Sequence, residues 1–448
     1  MAQRDQFGVE QTTADPQAVR HFDGALSKLL TLNNDPLAEA DRALAGDPSF
    51  AMPHVLKGLA GALGTDPSLH ADARRSLAAA KALTDVKPVA RDLGHVAALH
   101  AWLGGHFPDA VAVWENILVD HPHDALAMFA AHQADFQLGA SAELRDRVAR
   151  RLPRLDAGSP LRGYYDGMYS FGLEETGDYA GAIEAGMRSV RSDRRDAWAI
   201  HAVAHVHEMT HRLEEGENWL RSRVEDWDTD NFFAIHNWWH LALYILDQER
   251  WQEVLELYDQ RIRRNDSAVV FDLLDASALL WRLKLCGIDV GQRWSRIAAL
   301  WEPHIDDAWY SFNDMHAMMS FVGAGEFGQA RRLIARLRET ALASSPNAGM
   351  TRSVGLPVSE ALLAYGEGRY ETAVNLLLPV RAIAARAAGS NAQRDVIGWT
   401  LLAAAGKSGQ SRLERDILNE RLALKPNSAL NLAWSRRRGG PARLEPSL

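Results

Sequence analysis

Six of the seventeen histidines fall between His201 and His240, in the runs HAVAHVHEMTH (201–211) and IHNWWHLAL (235–243), with Glu208, Trp238 and Trp239 among them. If both runs are helical, His201 and His205 stand one turn apart with Glu208 three residues beyond, on a single stripe, and His236 and His240 repeat the spacing. Imidazoles beside a carboxylate suit two chemistries. They can ligate zinc or another divalent transition metal that activates water, or act without metal as general acid and base in a pocket with aromatic walls. The order HxxxHxxE is not the HExxH of zinc proteases, in which the glutamate lies between the ligands. A single histidine on a helix is ordinarily scaffold; two such pairs with a carboxylate alongside point to a site.

Hydrolysis or proton transfer on a small molecule is therefore the expected chemistry. His205, Glu208 and His240 are the candidates for catalysis. Trp198, His201, His236, Trp239, Phe312, His316, Arg394 and Asp395 are the candidates for binding, with the planar fork of Arg394 meeting an anionic group on the substrate. If a metal is bound, its ligands are sought among His201, His205, His236 and His240. Other chemistries find no support. There is no GxSxG elbow, Cys286 in LLWRLKLCG reads as a helix residue, and no glycine-rich phosphate loop calls for a nucleotide cofactor.

The elements that must position these residues are helices, because a helical period dominates and nothing alternates with period two for long. Their arrangement is written in a repeated punctuation. Gly105-His-Phe107 leads to Ala110, Gly177-Asp-Tyr179 to Ala182, Gly325-Glu-Phe327 to Ala330 and Gly368-Arg-Tyr370 to Ala373. This is the glycine turn, aromatic and small residue of a tetratricopeptide hairpin. The fold class is thus all-α, a right-handed superhelix of roughly seven or eight hairpins. Phasing on Gly216 and Ala204 puts Trp198, His201, His205 and Glu208 on the concave face. Phasing on Trp251 puts Trp238 inside, His236 and Trp239 in the groove and His240 at its edge, and the Phe327 unit adds Phe312 and His316. His207 and His211 point away.

Residues 18–434 read as one repeat domain, with a frayed N-terminal segment at 1–17 and a disordered tail at 435–448. Ala341 to Leu356, rich in Ser, Gly and Pro, reads as a long loop, and Arg394 and Asp395 as the start of a helix. The chain has 448 residues, 47% hydrophobic and 24% charged, enough to bury a large core. A net charge of -9 argues against a nucleic-acid partner. No apolar run is long enough to span a bilayer, and the N-terminus shows no signal sequence. With Cys286 the only cysteine, disulfides are excluded and a cytoplasmic location is expected. An array of this kind could form a homo-oligomer, though no heptad seam is visible.

Together HAVAHVHEM, NWWHLAL, LLWRL (279–283), FNDMHAMM (312–319) and GSNAQRD (389–395) resemble the tetratricopeptide repeat protein 38 family over about residues 20 to 430. The resemblance implies an all-helical repeat fold and a cytoplasmic protein, and brings no agreed activity. The stretches that carry it are the ones that bear His201, His205, Glu208, His236, His240, His316, Arg394 and Asp395. A small-molecule site is the reading this favours. Its rival is a non-catalytic scaffold whose groove receives a peptide or helix. The shape of the groove separates them, an open channel suiting a peptide and a closed pocket suiting a small molecule.

Overall fold

A computed structural model describes residues 3–33, 35–156 and 158–436. Among them the chain forms eleven consecutive helical hairpins, from Pro16–Leu30 with Pro36–Gly46 to Asn391–Lys407 with Ser411–Leu424. The punctuation works as its residue types require. Gly105, Gly177, Gly325 and Gly368 turn the chain with φ of 81°, 86°, 76° and 77°, a left-handed conformation that glycine adopts without a Cβ clash. The second helix then begins at Phe107, Tyr179, Phe327 or Tyr370. Ala110, Ala182, Ala330 and Ala373 lie fully buried in these second helices.

There are more hairpins than the seven or eight expected. In the first two the positive φ belongs to Leu32 and Thr65, and behind Gly139 and Gly287 no aromatic opens the next helix. Those turns lack the residues by which the others were recognised.

Two further expectations are corrected. Residues 3–13 are not frayed. Gln3–Arg4 pairs antiparallel with Glu10–Gln11, Asp5 accepts hydrogen bonds from the amides of Phe7 and Val9, and Phe7, Val9, Gln11 and Thr13 are buried. Nor is 341–356 a long loop. Ser345 caps a helix at Pro346–Met350, which runs through a π turn at Thr351–Gly355 into Leu356–Gly366. Gly355 packs so closely on Ser311 that a Cβ would stand 2.7 Å from the serine Cβ. The expected tail lies outside the described residues except for Ser435 and Arg436, which end a short helix.

The superhelix closes on itself. Asn313 Nδ2 donates to Thr65 O across 248 residues at 2.9 Å, and the Tyr310 hydroxyl donates to Gln137 O at 3.1 Å. Asn231 Nδ2 donates to Asn33 Oδ1 at 3.2 Å. Gly139 lies against the carbonyl of Ala385, where any Cβ would clash. The concave side is thus roofed by the first hairpins.

Candidate functional site

The two histidine helices are adjacent. Asp196 caps Ala197–Met209 by accepting from Ala199 N, and every residue from Ala234 to Leu246 of the next inner helix is buried. A helix apolar nearly all round must be enclosed by others. The Tyr244 hydroxyl ties the pair together, donating to Ala204 O at 2.6 Å.

His201, His205, His236 and His240 come together from these helices, one ring nitrogen of each lying within 4.8 Å of the others. His201 Nε2 and His236 Nε2 are 3.1 Å apart. Three of the rings have a carboxylate behind them. His236 Nδ1 stands 2.8 Å from Asp275 Oδ2, His240 Nδ1 3.0 Å from Glu208 Oε2, and His205 Nδ1 3.4 Å from Glu174 Oε2 without hydrogen-bond alignment. Among the described residues, His201 Nδ1, both nitrogens of His205 and His240 Nε2 are buried with no hydrogen-bond partner. Buried polar atoms are nearly always paired, so such a concentration calls for a physical cause.

Burial sets the protonation. It holds His201 and His240 well below the ordinary imidazole range, with neighbouring rings adding to the effect, and lowers His205 to about 4. At pH 7 these three are neutral and keep a lone pair. Burial also raises Glu208. Glu174 is pushed up to about 8 by burial and by the charge of Glu208, and Glu175 to about 7 by burial and by Glu174.

In front of the tetrad lies a cavity of about 230 Å³. His201, His205 and His236 form its floor and Phe129, Phe136, Phe171, Trp198, Phe233 and Phe312 part of its wall. Lys28, Asn33, Ala60 and Gly64, all part-exposed, mark its mouth. Lys28, the one lysine or arginine in the lining among the described residues, already pairs with Glu39 at 3.3 Å.

Trp198, His201, His205, His236 and Phe312 are therefore where the repeat register puts them. Others are not. His240 is no edge residue but a full member of the tetrad, and it and Glu208 stand behind the floor, away from the cavity lining. Trp239 is fully buried, stacked on His236 at 5.3 Å with Arg282 over its ring, and is not a groove wall. His316 stays outside the tetrad, against the carbonyl of Phe312. Arg394 begins its helix as expected but is occupied by Glu175 at 3.2 Å, and Asp395 accepts two hydrogen bonds from Arg421. Neither faces the cavity. His211 pairs with Asp247 at 3.1 Å, away from the site.

The reading of the sequence missed Asp275 and Glu175. Asp275 had a signal, an acidic residue inside the largely apolar stretch LLDASALL, where only a buried partner makes a carboxylate tolerable.

No family model matches the chain. Among solved structures it is similar to one titled "Crystal Structure of the Yeast Tom70", at 12% identity and a TM-score of 0.36, over 93% of this chain and 85% of that one. The all-α repeat architecture stands on the hairpins themselves. Among the described residues, no helix is long and apolar enough to cross a membrane.

Proposed function

We propose that this helical-repeat protein binds a small, neutral, largely aromatic molecule in the aromatic-walled cavity, with the histidine floor as its polar end. One observation carries the reading: an aromatic cavity, roofed by contacts such as Asn313 to Thr65, ends on imidazoles of which burial keeps His201 and His205 neutral. An apolar pocket with few convergent polar groups is the usual form of a small-molecule site. About 150 Å³ of apolar cavity is enough to hold benzene, so this one suits a two-ring molecule. An anionic substrate is not favoured, because Arg394 and Lys28 are both paired. If the protein is an enzyme, His205 is the group placed to accept or return a proton at the bound molecule, while Glu208 and His240 act from behind it. The resemblance to the tetratricopeptide repeat protein 38 family belongs with this reading, as does a cytoplasmic location.

The test is calorimetric titration with 2-naphthol and with 2-naphthoate. The expected result is one equivalent of naphthol bound, no naphthoate, and at least a tenfold loss on Ala60→Trp at the mouth. No binding of naphthol, or binding indifferent to Ala60→Trp, would refute the cavity reading.

A second reading is a scaffold for a partner protein or peptide, and the repeat architecture favours it, since such arrays commonly present extended binding surfaces. With the concave side roofed, the partner would sit on the outer faces. Recovery of one stoichiometric partner, bound equally by wild type and His205→Ala, with no naphthol binding, would decide for it.

A further inference from the structure

We propose that His201, His205, His236 and His240 bind one divalent transition-metal ion of the zinc class through their imidazole nitrogens. The inference extends the cavity reading, since it concerns the cavity's floor, but it stands on the histidines alone.

Donor geometry comes first. In a tetrahedral site with Zn–N of about 2.0–2.1 Å, neighbouring nitrogens are about 3.3 Å apart. His201 Nε2 and His236 Nε2 already stand at 3.1 Å, and the four donor atoms lie within 4.8 Å of one another. Small side-chain rotations close the remainder.

The rings are also backed as metal ligands are. Metal-bound imidazoles commonly direct their other N–H at a carboxylate, which fixes tautomer and ring orientation. Asp275 behind His236 and Glu208 behind His240 do this at 2.8 and 3.0 Å, leaving both Nε2 atoms facing inward, and Glu174 stands behind His205. A purely structural histidine cluster has no need of three carboxylates arranged on its outside.

Charge points the same way. The carboxylates of Asp275, Glu208, Glu174 and Glu175 back this cluster, while the nearby guanidiniums are Arg394, on Glu175, and the buried Arg282. A divalent cation at the centre of the cluster would face more carboxylates than guanidiniums among these groups. The donor type sets the class of ion, because neutral imidazoles suit zinc, copper, nickel or iron and not the hard ions calcium and magnesium.

The experiment uses the full chain, stripped with chelator and dialysed against cobalt(II), then zinc(II). The expected result is one equivalent of cobalt with the visible spectrum of four-coordinate nitrogen ligation, displaced one for one by zinc. His236→Gln with His240→Gln should abolish retention while the helical circular dichroism is unchanged. Should that variant misfold, Asp275→Asn, which keeps every ligand, is expected to weaken zinc binding ten- to a hundredfold. Failure of the unmodified chain to retain cobalt, zinc, nickel, copper or iron would overturn the proposal, and so would equal retention by a folded double variant or unchanged affinity in Asp275→Asn. Metal binding without naphthol binding would sink only the cavity reading; naphthol binding without metal would sink only this one.

Discussion

Two buried polar clusters in this molecule are built on opposite plans. On Arg147 itself the valences are closed, and in the adjoining Arg151 only Nε is left without a partner among the described residues. Its guanidinium donates to both oxygens of Asp135, at 2.7 and 3.0 Å, and also to Glu115, which Arg151 meets at 2.6 Å. In the histidine tetrad they are open. Among the described residues four of its ring nitrogens are buried without a hydrogen-bond partner, although each residue is as deeply enclosed as Arg147. A cluster that serves only to hold helices together gains by pairing every donor with an acceptor. One that leaves lone pairs converging on a point gives up stability to keep them available. The difference separates scaffold from site more sharply than the identity of any residue.

That contrast can be broken by mutation, and the largest effect should lie on the closed side. Arg147→Met leaves Asp135 buried without its partner and is expected to cost about 3–5 kcal/mol in urea unfolding. A cost under about 1 kcal/mol would mean that the cluster is not closed in the sense argued.

Asp314 is a second open valence, with Oδ2 buried and unpartnered. Burial, with the charge of Asp307, pushes its carboxyl from 3.8 up to about 8. The sign follows from proton counting. Between about pH 4 and 8 the unfolded chain gives up a proton that the folded chain keeps, so this group lowers stability as pH rises through that window. Asp314→Asn should therefore stabilise the protein at pH 8, by about 1–3 kcal/mol, and have little effect at pH 4. Thermal unfolding at the two pH values checks both the gain and its disappearance.

Smaller still is the hydroxyl that joins the two histidine helices. Tyr244→Phe should cost about 1 kcal/mol by removing the hydroxyl's hydrogen bond to the Ala204 carbonyl. Weaker cobalt binding in the same variant would show that this contact also sets the spacing of the tetrad. The smallest change is expected inside the tetrad. In chelator-stripped protein His205→Leu should alter stability by less than about 1 kcal/mol in either direction, since it removes a desolvated group whose ring nitrogens make no hydrogen bond among the described residues. A loss of 3 kcal/mol there would make the tetrad a structural core and erase its difference from Arg147.

Much of this was legible in the sequence, and particular residues show why. The glycine, aromatic and alanine of each marked hairpin act within one turn and its own two helices, so Gly177, Tyr179 and Ala182 announce their structure locally. The same logic placed His201, His205 and His236 on the inner face. It failed where a contact crosses repeats. His240 reads as an edge residue when one hairpin is phased alone, yet the neighbouring Ala197–Met209 helix makes it central. Trp239, read as groove wall, is withdrawn behind His236 by the packing of Arg282 from the following hairpin. Arg394 is aimed at Glu175, 219 residues earlier, rather than at a ligand.

The sequence by itself thus determined that the chain is an array of helical hairpins and that His201, His205 and His236 face inward, because periodicity and turn chemistry act over a few residues. Only the tertiary structure decided that the array closes, that four imidazoles from two helices share one point, and that Asp275, Glu208 and Glu174 stand behind them. Those outcomes depend on the curvature accumulated over many hairpins and on contacts as distant as Asn313 with Thr65. No local pattern encodes such a sum.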